Sequence, residues 1–231
     1  TTRQAKYFLK TEKNKKFQIP LEPGIAEDEV WKENFLQDFE TLSKNILEIC
    51  EYGFLEMLNN AIDHSEGTGV VIKTIWASDS VTIAIRDNGI GIFRKIKNAL
   101  ELDNERESIL DLSKGKFTTD QENHTGEGIF FTSRAFDIFH IVSRGISYIR
   151  TNWDEDWFVE TMKDENVPGT GLIMKIALDS KRKMQKVFEE FVEENPEGMP
   201  KFDRTHILVQ LSQLGDERYV SRSQARRICL G

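Results

Sequence analysis

Residues 80–93 read SVTIAIRDNGIGIF, and the change of period inside this stretch decides the fold. Val81, Ile83 and Ile85 recur at every second residue, so they share one face of a β-strand, and Asp87 continues that face. A carboxylate on the buried side of a strand end needs a partner, because burying it alone is costly. The alternation stops at Asn88-Gly89-Ile90-Gly91, where two glycines let the backbone turn sharply and come close to a ligand. Together these residues place an acceptor at the bottom of a pocket, suited to an exocyclic amine such as that of adenine. The same letters also fit an ordinary strand-turn-helix junction.

Upstream, residues 54–65 read FLEMLNNAIDHS, with Phe54, Leu58, Ala61 and Ile62 in a helical apolar stripe. At about 100° per residue, Asn60 lies about 40° from Glu56 and Asp63 about 20° on its other side. One helix face therefore carries two carboxylates and an amide. An amide oxygen such as that of Asn60 is a hard ligand suited to Mg²⁺, which leaves room for phosphate oxygens and water. A carboxylate one turn away, Glu56, has the reach to orient or deprotonate a water or hydroxyl attacking a phosphoryl group. Without further signals, the stretch reads equally as a solvated helix face.

Downstream, residues 114–131 read KGKFTTDQENHTGEGIFF. The polar part has neither helical nor strand period, which at this length points to a functional loop. Gly126 and Gly128 stand just before an apolar helical run, where free backbone N–H groups favour an anion, and Thr125 adds a hydroxyl. Lys114 and Lys116 are placed to reach a terminal phosphate. Glycines before a helix are a weak signal alone. Further on, PGTGLIMKIAL sets Thr170 on the strand face of Leu172, Met174 and Ile176, where its hydroxyl could share an adenine with Asp87.

Composition narrows the field. The 231 residues include 31 Lys or Arg and 39 Asp or Glu, a formal charge of −8, which disfavours a chain dedicated to coating nucleic acid. The longest run free of charged residues, 205–215, is far below the roughly 20 residues of a membrane span. Cys50 and Cys229 are isolated, which argues against a zinc site or disulfide framework and fits a reducing cytoplasm. The start at Thr1 and the stop at Gly231 suggest a fragment.

Periodicity predicts a lysine-rich hairpin around Asn14, a helix over 27–49, a second over 53–65, and strands over 70–76 and 81–87. Short helices are expected within 93–112, a helix over 128–136, and strands near 138–143, 147–152, 157–162 and 171–178. An amphipathic helix over 181–192 precedes the punctuation Asn195-Pro196-Glu197-Gly198, after which a strand and a helix open another unit. The strands read as a largely antiparallel sheet.

The motifs also come in a telling order. A helix with ExxxN, a strand ending DxGxG, a polar loop closing with GxG, and a strand with GTG together resemble the GHKL ATPase superfamily (gyrase-type topoisomerases, ninety-kilodalton chaperones, mismatch-repair ATPases, histidine kinases and anti-sigma-factor kinases). The resemblance covers roughly residues 44–178. It implies an α/β (α+β) two-layer sandwich, the Bergerat fold, with a mixed, largely antiparallel sheet covered by helices on one face. It implies ATP and Mg²⁺ as ligands. Glu56 and Asn60 fall on the N box with Asn60 on the metal, while Asp87, Gly89 and Gly91 fall on the first glycine box and Gly126 and Gly128 on the second. The lid would span 93–125. Glu127 between the second pair of glycines departs from the pattern, and His64 follows the N box as in histidine kinases.

The stretch LSKGKFTTDQENHTGEGIFFTSRAFD, with FDRTHILVQL and ERYVSRSQARR, is similar to bacterial proteins in which a histidine-kinase-like ATPase domain precedes a STAS-like domain. That resemblance implies three parts. Residues 1–25 are a hairpin or linker, the tail of a DNA-binding wing if a helix-turn-helix precedes it. Residues 26–194 are the ATP-binding domain, and 195–231 open the STAS-like unit. It implies a cytoplasmic regulator of transcription that binds ATP and acts through a STAS-like partner in cis or in trans, with slow hydrolysis, serine phosphorylation or pure nucleotide sensing as the three readings of its chemistry.

Overall fold

The computed structural model describes residues 14–114, 128–153, 157–161, 167–194 and 200–202. Seven strands form one sheet in the order β1-β2-β3-β7-β4-β5-β6: Lys15–Pro20, Gly69–Trp76, Ser80–Asp87, Thr170–Ala177, Ile138–Ser143, Ile146–Thr151 and Trp157–Thr161. Every pairing among them is antiparallel, which refines the expected mixed sheet. β7 inserts between β3 and β4, so Arg86 faces Gly171 and Ser143 faces Thr170 across neighbouring strands. A separate ribbon pairs β8 (Val192–Glu194) with β9 (Pro200–Phe202).

Helices cover one face. They are α1 (Glu27–Asn34), α2 (Leu36–Phe39), α3 (Lys44–His64), α4 (Ile92–Leu100), α5 (Ser108–Lys114), α6 (Gly128–Ala135) and α7 (Met184–Phe191). Strict alternation makes the layer. Val70, Ile72, Val81, Ile83, Ile85, Met174 and Ile176 are all buried toward α3, whose Ile46, Ile49, Phe54, Met57 and Leu58 meet them. Each such side chain contributes about 1.5–3 kcal/mol relative to exposure.

Two expectations about helices change. The run 27–49 is broken at Phe35 and again over 40–43, and α3 then continues unbroken through Gly53. The breaks let Trp31, Phe35 and Phe39 converge on one cluster. The Trp31 ring lies 4.9 Å from those of Phe39 and Phe54, and Phe39 lies 4.9 Å from Trp76. A straight helix cannot fold its own face around such a centre. Gly53 does not end the helix, because the Phe136 ring packs against its bare Cα. Lys15–Pro20, expected in a separate hairpin, is the sheet's edge strand, with Ile19 opposite Val70. No described helix is long and apolar enough to cross a membrane. Residues 1–13 and 203–231, which hold the first arm of the expected hairpin and most of the expected STAS-like unit, lie outside the described residues.

Candidate functional site

Asp87 ends β3 on its inner face, as the alternation requires, and is only 6% exposed. Its Oδ1 accepts from the Gly89 N–H at 2.8 Å and from the Thr170 N–H at 3.1 Å. Burial pushes the carboxyl above its ordinary value, and these two backbone bonds oppose that rise. The Thr170 hydroxyl, 7% exposed, accepts from the Ile92 N–H at 2.9 Å, which ties the start of β7 to the first turn of α4. Asp87 and Thr170, which the sequence reading assigns to one adenine, are direct neighbours at this end of the sheet. Ser143, on the next strand, donates to the Gly169 carbonyl at 2.9 Å and completes this end of the sheet.

The turn after Asp87 is held by α3. Ile90 N–H donates to the Ser65 carbonyl at 2.9 Å, and a Cβ on Gly89 would collide with that same carbonyl. Gly91 caps the start of α4 with φ +92°, a left-handed value that favours glycine. Lys95, one turn into α4, donates to the His64 carbonyl at 2.6 Å, where a cation meets the negative end of α3. Ser65 and Lys95 are the parts of this junction that pattern reading missed. Ser65 acts through a main-chain carbonyl, which leaves no trace in residue type, and Lys95 reads as one cation on a polar helix face.

On α3, Glu56 and Asn60 are half-buried and Asp63 is exposed. The three do not share one environment. Glu56 reaches the first residue of α6, so that a Cβ on Gly128 would overlap its Oε2. The Asn60 side chain, one turn later, makes no hydrogen bond to a described residue. The helix that supplies Glu56 and Asn60 thus bridges the Asp87 turn, at Ser65, and the α6 N-terminus, at Glu56. Lys116, Thr125 and Gly126 lie outside the described residues, as does the side chain of Lys114. The described part of the expected lid consists of α4, a 3₁₀ turn and α5, with Phe93, Ile96, Ile109 and Leu112 buried and Ser108 donating to the Phe93 carbonyl at 2.8 Å.

Residues 51–140 match the family model described as histidine kinase-, DNA gyrase B-, and HSP90-like ATPase. The match supports the GHKL superfamily. It also supports an ATP-binding function of the GHKL ATPase or kinase type. It spans the last two thirds of α3, β2, β3 and the Asp87 turn, α4–α6 and the first part of β4, and the layered antiparallel sheet is consistent with the GHKL Bergerat fold. No curated protein matches the chain.

Proposed function

We propose that this chain is a Mg-dependent ATP-binding regulatory protein, a slow ATPase whose nucleotide state controls a STAS-like domain in cis or a STAS-like partner. The observation that carries the reading is the joining of two elements by one helix. α3 contacts the Asp87 turn through the Ser65 carbonyl and the start of α6 through Glu56, which ties an adenine-type acceptor and an anion-type helix start to the same helix. In this reading Asp87 accepts from the adenine amine, Thr170 supports it, and Gly89 and Gly91 let the chain pass close to the nucleotide. Asn60 offers its half-buried amide to Mg²⁺, and Asp63 lies at the mouth of the site. Lys116, Thr125, Gly126 and Gly128 are the phosphate side.

The residues present fit such a metal. Among the described residues no cluster of three His, Cys, Asp or Glu could form an all-protein cage. Mg²⁺ takes few protein oxygens and completes its shell with phosphates and waters, and the Asn60 amide oxygen is a hard donor of that kind. The ion supplies charge neutralisation at the phosphates when bound. Glu56 supplies the base, accepting a proton from the attacking water or hydroxyl at a carboxylate held beside the α6 N-terminus. The proposed organisation is an ATP-binding domain that takes in the edge strand Lys15–Pro20 and ends near residue 194, followed by a STAS-like unit from about residue 195, in a cytoplasmic regulator of transcription.

The test separates binding from chemistry on one helix face. Glu56→Gln keeps shape and removes basicity, so it should bind Mg·ATP normally while turnover falls about 10²–10⁴-fold. Asn60→Ala should weaken Mg·ATP binding itself. Calorimetry and phosphate release on both variants, with and without a STAS-type protein, read the outcome. Full turnover in Glu56→Gln removes Glu56 from the chemistry. Transfer to the STAS protein in place of phosphate release would make the chain a serine kinase, and binding without any turnover would make it a nucleotide sensor.

A further inference from the structure

The face of the sheet turned away from the helices has a charge opposite to that of the whole chain. Its register builds a small rectangle: Lys73 faces Ala84, which faces Ile173, and in the next row Ile75 faces Thr82, which faces Lys175. With strands about 4.8 Å apart and residues about 3.4 Å apart, the corners are about 10 Å across and 7 Å along, and Lys73 and Lys175 stand about 12 Å apart on a diagonal. The other diagonal is apolar, Ile75 at 49% exposure and Ile173 at 39%. The small side chains of Thr82 and Ala84 make the floor a trough between β2 and β7. Arg86 follows Ala84 on the floor strand β3, one row beyond Lys73 and Ile173, and adds a third positive charge.

The outward positions of β2, β3, β7 and β4 carry no carboxylate, in a chain with 39 acidic residues and a net charge of −8. No described carboxylate pairs with Lys73, Arg86 or Lys175. Two copies joined face to face through this patch would bring like charges together, so the patch does not suit a symmetric dimer. A long polyanion would meet the acidic remainder of the molecule beyond the patch.

We propose that this trough docks an acidic amphipathic helix of a partner protein. A helix laid along the Lys73–Lys175 diagonal would bring carboxylates seven or eight residues apart, about 10.5–12 Å at 1.5 Å per residue, to the two lysines. Apolar side chains between them would rest on Ile75 and Ile173. The proposal is independent of the nucleotide reading, because α3, α6 and Asp87 lie on the opposite face.

The probe is a labelled 18-residue helical peptide of Glu, Leu, Ala and Gln with glutamates seven and eight residues apart, followed by fluorescence anisotropy on the full chain. It should bind, and rising salt should weaken it. Lys73→Glu/Lys175→Glu should lose binding at least tenfold with its melting temperature unchanged. The same variant should gain binding to a peptide with Lys in place of Glu, which a misfolded protein would not do. Equal binding of both peptides to the wild type would overturn the proposal, as would unaltered binding of the acidic peptide to the variant. Binding of phosphatidylserine vesicles or duplex DNA without binding of the acidic peptide would also overturn it.

Discussion

Asp87→Asn is the sharpest perturbation of the candidate site, because it should move affinity and stability in opposite directions. Oδ1 already accepts two backbone N–H groups, from Gly89 and Thr170, and the asparagine oxygen can keep both bonds. The second oxygen becomes an NH₂ group, so an adenine amine that needs an acceptor would meet a donor. Losing a hydrogen bond to a charged partner costs about 1.5–3 kcal/mol. At about 1.4 kcal/mol per decade, ATP affinity should fall roughly ten- to a hundredfold. Stability behaves otherwise. Burial raises the folded carboxyl above its unfolded value, so between about pH 4 and that raised value the folded state holds the proton that the unfolded state has released. Wild-type stability attributable to Asp87 therefore falls as pH rises through this window, and above it the desolvation cost stays in force. The neutral amide escapes that cost, so the variant should match or exceed wild type in melting temperature at pH 7 and lose the advantage toward pH 4. Calorimetry with ATP and thermal melts from pH 4 to 8 read both effects. Unchanged affinity in a folded variant would remove Asp87 from the site. A melting temperature well below wild type at pH 7 would make its role structural.

Other consequences are local. Gly89→Ala drives a Cβ into the Ser65 carbonyl, a backbone group that can yield only by giving up its bond from Ile90, so a loss of about 1–3 kcal/mol is expected in denaturant melts. Gly128→Ala meets only the flexible end of Glu56 and gains helix propensity, so the fold should hold while turnover drops; turnover equal to wild type would show that the position of Glu56 is immaterial. Asp137 accepts from Arg182 at 2.9 Å on one oxygen and from the Ala177 N–H at 2.7 Å on the other. Asp137→Ala should lower the melting temperature by several degrees. It should leave ATP affinity intact, because Ala177 and Thr170 are opposite ends of β7.

What the sequence revealed depended on whether a feature was periodic or relational. The buried positions of Asp87 and Thr170 follow from a period of two, which survives any tertiary arrangement that buries one face of a strand. The continuity of α3 does not follow from local preference. Gly53 costs about 1 kcal/mol against alanine in a helix, and the Phe136 ring just after α6, with Thr132 beside it, makes the absence of a side chain useful there. The place of Lys15–Pro20 at the sheet edge is likewise relational, since a strand's partner is not written in its own residues. The same distinction runs through the site. Glu56 and Asn60 could be put on one helix face from their spacing, yet that face is equally a solvated surface until something stands opposite it. What stands opposite Glu56 is the main chain of Gly128, and what stands opposite the end of the helix is the N–H of Ile90. Both partners are backbone atoms, which side-chain pattern cannot report. The motif order carried the resemblance to the GHKL superfamily, whereas the contacts that would make α3 a bridge between base and phosphate sides became visible only in three dimensions.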